Sequence, residues 1–236
     1  MKRFFSILSL VSFSLLLLYA VVLVYSGGNP TKSVIDFLTV LLFVMIWFGT
    51  FTFLRLKKKK SLTCLLFFTI FYVYLYKVLD YTIFQFQSLL LLKHFMPGLM
   101  LNGVDAGKSI NFIPLINLTL AELKTSLLNI LLFVPFGFGL PFITNLRMKT
   151  IITFGILFSS IIELLQFVTG FVGKITFRIA DSNDVIFNTT GVVIGYILFV
   201  GCLGLLQHIF RNRKSLKNPI VRYLAGRSQI DAQSRM

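Results

Sequence analysis

Eight of the 236 residues are acidic, and three of them, Glu163, Asp181 and Asp184, fall within 22 positions. Glu163 lies inside the apolar stretch Ile151–Val168, an expensive place for an ionisable side chain. Arg178 falls between Glu163 and Asp181, and Asn129, Gln166 and Asn188 add amide side chains on the flanking segments. In this setting a carboxyl such as Glu163 is a candidate general acid or base. Asp181 and Asp184 offer hard oxygen ligands for a divalent cation, and the planar fork of Arg178 suits a phosphate or carboxylate. Asn129, Gln166 and Asn188 would orient a substrate. Such a set suits hydrolysis or transfer at a phosphate, with Glu163, Asp184 and Arg178 as the catalytic candidates. It lacks a clear nucleophile: the sequence shows no Ser-His-Asp pattern, and Ser159 has no evident activating base.

Helical spacing organises these residues. Ser159, Glu163, Gln166 and Gly170 are separated by 4, 3 and 4 positions, which places them on one helix face. Asp181, Asp184, Asn188, Gly191 and Gly195 are separated by 3, 4, 3 and 4, a polar end continuing into a small-residue stripe. The Gly191-x-x-x-Gly195 pair lets another helix approach closely. The expected assembly packs the two polar stripes together, within reach of Asn129. Two structural readings stand beside the functional one. Asp181-Ser182-Asn183-Asp184 fits a helix N-cap followed by an acidic third position, like a capping box, and Glu163 with Arg178 would form a neutralising pair.

The elements that carry these stripes are membrane spans. The chain is 56% hydrophobic and 13% charged, where soluble domains are near a quarter charged. Its 27 Phe and long Leu/Ile/Val runs exclude intrinsic disorder. Apolar stretches of the roughly 20 residues that cross a bilayer fall at Phe4–Tyr25, Ile35–Leu54, Ser61–Tyr81, Ser126–Thr144, Thr150–Gly170 and Asp184–Gln207. Phe4–Tyr25 is longer than a signal peptide's apolar core and reads as a retained span. The fold class is therefore all-α: a polytopic helical membrane protein with about six transmembrane helices. Pro135, Gly137, Gly139 and Pro141 predict a kinked or interrupted fourth span. Cys64 and Cys202 lie in apolar runs and read as small hydrophobes rather than a disulfide framework.

The formal net charge is +15, with 23 Lys and Arg. Placing the N- and C-termini in the cytoplasm puts sixteen of the 23 on the cytoplasmic side, including Lys57–Lys60, Arg147, Lys149 and the tail beyond Phe210. The excess is an orientation signal, so nucleic acid is not the expected partner. The expected location is a bacterial cytoplasmic membrane, multi-pass, with membrane lipids as neighbours. Glu163, Asp181 and Asp184 then sit at the outer boundary. Neither His94 nor His208 forms a metal-ligand pattern.

Three blocks resemble the VanZ-like family of bacterial membrane proteins. They are Asn111-Phe112-Ile113-Pro114-Leu115; Asn129 to Gly137 with Leu140-Pro141; and Glu163-Leu164-Leu165-Gln166 followed by Arg178-x-x-Asp181-x-x-Asp184 and Asn188 to Gly195. Ser182-Asn183 stands where family members often place an acid beside the last Asp, which weakens a metal site at Asp181 and Asp184. The resemblance divides the chain into N-terminal spans over 1–89, a VanZ-like core over 90–206 and a basic tail over 207–236. It implies an envelope role and adds Asn111 to the substrate-binding candidates. It also implies an association with resistance to the glycopeptide teicoplanin, with a lipid-linked envelope precursor or the glycopeptide as partner; the divalent cation remains a candidate cofactor from the Asp181 and Asp184 oxygens alone. Three modes of action are compatible with the residues: catalysis at a phosphate, binding of a headgroup or antibiotic without turnover, and transport along a path through the fourth span and Glu163.

Overall fold

The computed structural model of the chain describes residues 30–84, 110–111, 120–173, 180–210, 223, 224 and 226. The expected first span, His94 and Arg178 lie outside the described residues. Among the described residues five long helices follow in order: α1 (Pro30–Leu56), α2 (Leu62–Leu79), α3 (Leu120–Ile143), α4 (Met148–Gly173) and α5 (Ser182–Phe210). A π-helical turn, Asp80–Phe84, extends α2. The two-residue strands β1 (Ile110–Asn111) and β2 (Ala180–Asp181) pair in parallel, with Asn111 opposite Asp181. Stretches long and apolar enough to cross a membrane run over Phe37–Leu56, Leu62–Phe84, Lys124–Ile143, Met148–Thr169 and Ser182–Leu206. These coincide with the second to sixth expected spans. A helix suits such a segment because it satisfies every backbone group internally.

The chain forms two compact units, 1–59 with 84–101 and 60–83 with 102–236. In the first, Val40, Val44, Trp47 and Phe51 form the buried face of α1, while Leu38, Leu42, Met45, Phe48 and Phe53 are exposed. Phe43 meets Phe84 edge to face at 5.7 Å between ring centroids.

The second unit contains α2 to α5, and its centre is the α3–α5 pair. A Cβ added at Gly191 would stand 2.2 Å from the Ile130 carbonyl oxygen, and one at Gly195 would stand 2.1 Å from that of Val134. The approach is reciprocal, since a Cβ on Gly137 of α3 would lie 2.0 Å from Val192 O. Only glycine permits backbones this close. The Val192 side chain, fully buried, also packs on Gly155 of α4, so one residue joins three helices. Phe136 of α3 stacks on Phe158 of α4 and meets Phe71 of α2, at centroid separations of 5.5 and 5.7 Å. Tyr74 of α2 donates to Leu132 O at 2.7 Å.

The fourth span is not interrupted: α3 runs continuously through Pro135 and Pro141. Prolines remove helical N–H donors, but Gly137 supplies close packing instead of a break. The carbonyl end of α3 is met by groups from three parts of the chain. Thr144 donates through N and Oγ1 to Leu140 O, the Tyr223 hydroxyl to Phe142 O, and Cys64 Sγ to Ile143 O at 3.9 Å. The Tyr223 ring also stacks near Phe67, so this residue of the basic tail docks on α2 and α3. Cys64 is buried and Cys202 is partly exposed, and both are free thiols.

Polarity runs opposite to that of a soluble protein. On α4 the bulky Phe154, Leu157, Ile161, Leu164 and Val168 point outward, whereas Ser159, Glu163 and Gln166 are buried. Apolar surroundings and internally matched polar groups are what a bilayer demands.

Candidate functional site

The site forms where α4 ends and α5 begins. Asp181, the last residue of β2, caps α5: its Oδ1 accepts the Asn183 N–H at 2.9 Å. The sequence therefore starts α5 as a capped helix. The reciprocal half of the expected capping box is taken by another helix. The Asp181 N–H donates to Glu163 Oε2 at 3.2 Å, while Asp184 Oδ1 accepts Asn129 Nδ2 at 2.6 Å. Three carboxylates thus gather at the first turn of α5, where orphan N–H groups and the helix dipole favour negative charge.

One turn deeper, Asn188 Nδ2 donates to Ser159 Oγ at 2.8 Å. One turn in the other direction along α4, Gln166 Nε2 donates to Thr82 O in the π-helical turn at 3.0 Å. Asn129, Ser159, Glu163, Gln166 and Asn188 are each at most 8% exposed. The two polar stripes therefore pack together as the spacing predicts, and Asn129 reaches them. Gly191 and Gly195 serve packing, against α3.

The structure adds connections that spacing did not reveal. Asn111 lies in β1, whose backbone pairs beside Asp181; this brings the first residue of the first sequence block beside the third. Thr82, Ser182 and Asn183 also belong to the layer, and Asn183 is buried. Their only signals were a Thr after Asp80 and the position of Ser182 and Asn183 directly behind the cap. Lys77 and Asp80 form a partly exposed ion pair at 3.4 Å, a type of contact that contributes little.

Chemically the layer is rich in hydrogen-bond acceptors. Both side-chain oxygens of Asp181 and Oδ1 of Asp184 accept N–H donors. Among the described residues no group of three or more His, Cys, Asp or Glu is placed to share a metal ion. Ser159, the one nucleophile candidate, is fully buried beneath the Asn188 amide.

Spanning helices with apolar exteriors, closed around a buried polar joint, define an integral membrane protein. The VanZ/LLP1 family matches residues 81–207, more than half of the chain, and the chain belongs to that family. No curated protein and no solved structure matches it.

Proposed function

We propose that this VanZ-family protein acts on a lipid-linked or cell-wall component of the bacterial envelope, at the outer boundary of the cytoplasmic membrane. In this reading it contributes to tolerance of glycopeptides such as teicoplanin. The observation that carries the reading is the joint of Glu163, Asp181, Asp184 and Asn129, a costly polar assembly held by three spanning helices. The reading puts the joint on the outer side because it takes the basic turn around Arg147 and Lys149, which precedes α4, as cytoplasmic. Glu163, Asp184 and Arg178 are the reacting or charge-recognising groups, and Asn111, Asn129, Gln166, Asp181 and Asn188 position the ligand.

The test is expression of Glu163→Gln, Asp184→Asn and Arg178→Ala in a teicoplanin-sensitive host, scoring susceptibility together with membrane level. Loss of protection at normal membrane levels is expected. Wild-type behaviour of all three would remove the site, and loss of the protein from the membrane would make the joint purely structural.

A specific observation favours binding over turnover. Ser159 is occupied by Asn188 and buried, so it is not presented to a substrate. Purified protein incubated with undecaprenyl-linked phosphates, with and without Mg²⁺, is then expected to retain ligand without forming product. Product formation would restore the catalytic reading.

A further inference from the structure

The end of the second unit opposite the Glu163 joint is rich in cations. Cys64, in the first turn of α2, reaches the carbonyl of Ile143, the last residue of α3, and Phe67 stacks on Phe142 at 4.7 Å. The basic turn before α2 and the basic turn after α3 are therefore neighbouring corners. Lys60 stands at one, and the exposed Arg147 and Lys149 at the other. Tyr223, from the basic tail, docks on the same corner.

The segments that meet here carry no counter-charge. No acid lies between Asp36 and Asp80, between Glu122 and Glu163, or between Asp184 and Asp231. Helices α2 and α4 both begin at this end, with the positive ends of their dipoles. The opposing carbonyls of α3, those of Leu140, Phe142 and Ile143, are already taken by Thr144, Tyr223 and Cys64.

Lys59, bonded to Lys60, holds φ 49°, the left-handed region that glycine occupies most easily. A cation kept where the backbone favours glycine points to a use for its charge. From this corner α2 exposes Leu62, Leu66, Ile70 and Val73, spaced 4, 4 and 3 positions apart, as one apolar face. An anion that carries acyl chains matches both parts, whereas a soluble phosphate leaves the face unused.

We propose that this end of the bundle binds an anionic phospholipid, with Lys59, Lys60, Arg147 and Lys149 around the phosphate and an acyl chain along Leu62 to Val73. The proposal is independent of any ligand at the Glu163 joint.

The experiment is native mass spectrometry of the purified full chain with equimolar phosphatidylglycerol and phosphatidylcholine of matched acyl chains. Phosphatidylglycerol adducts are expected to dominate. Lys59→Gly removes a charge and relieves the backbone. The preference should fall about fivefold, the effect of one Lys near anionic lipid, while the thermal midpoint stays level or rises. Arg147→Gln combined with Lys149→Gln should lower the preference further. Lys124→Gln, at the other end of α3, should leave it unchanged. Equal adducts of the two lipids overturn the proposal, as does undiminished preference in both sets of variants. An equal loss in Lys124→Gln overturns the assignment to this corner, because overall charge would then set the preference. Displacement of phosphatidylglycerol by millimolar glycerol phosphate overturns the lipid in favour of a soluble anion.

Discussion

Glu163 of α4 accepts the backbone N–H of Asp181 at 3.2 Å, so a side chain from one spanning helix completes the N-terminal cap of the next. Within a helix that bond would come from the third residue of the same turn. Here Asp184, at that third position, bonds Asn129 of α3 instead. Replacing the charge while keeping the shape isolates this contact. Glu163→Gln should lower the stability of the purified protein by about 1 kcal/mol, the difference between a charge-assisted and a neutral hydrogen bond. Denaturant unfolding in detergent measures it; unchanged stability would show that the charge adds nothing to the contact.

The Asn129–Asp184 contact at 2.6 Å joins α3 to α5 beside the cap. A double-mutant cycle with Asn129→Ala and Asp184→Ala should return a coupling of about 0.5–3 kcal/mol, the range for side chains in direct contact. Additive effects would mean that the two residues act separately.

Gly191 and Gly195 have carbonyl oxygens of α3 where a Cβ would go, whereas Gly201 and Gly204 have nothing within 4 Å. Alanine at 191 or 195 should destabilise the protein by about 1–3 kcal/mol or more, the cost of overpacking. Alanine at 201 or 204 should be neutral or slightly stabilising, because alanine is the better helix former. Thermal midpoints of the four variants make the comparison within one helix.

Tyr223 donates to the Phe142 carbonyl and stacks near Phe67. Tyr223→Phe retains the ring and removes the donor, so it should cost about 0.5–1.5 kcal/mol. Tyr223→Ala should cost more and speed proteolysis of the chain beyond Phe210. Equal proteolysis of wild type and both variants would show that the docking does not restrain that segment.

The spans were readable because a bilayer imposes a minimum apolar length, and the polar faces because residues three and four apart share a helix side. Ser159 meeting Asn188 follows from that periodicity. That Glu163 accepts the Asp181 N–H does not, since every residue but proline carries a backbone N–H and spacing does not single one out. Gly137 was misleading. Beside Pro135 it suggests a break, yet it lies against Val192 in an unbroken helix; the reciprocal packing depends on a crossing that no single segment encodes. The pairing of Asn111 with Asp181 spans 70 residues and only two positions per strand, too short for an alternating pattern to mark it.

The shared cap also bears on biogenesis. Glu163 leaves the ribosome 18 residues before the amide that it will hold, and Asn129 precedes Asp184 by 55. Until translation reaches α5, a carboxylate in an apolar segment has no access to that N–H. Insertion of α4 and α5 together would bring Glu163 and that N–H into lipid already within reach of each other.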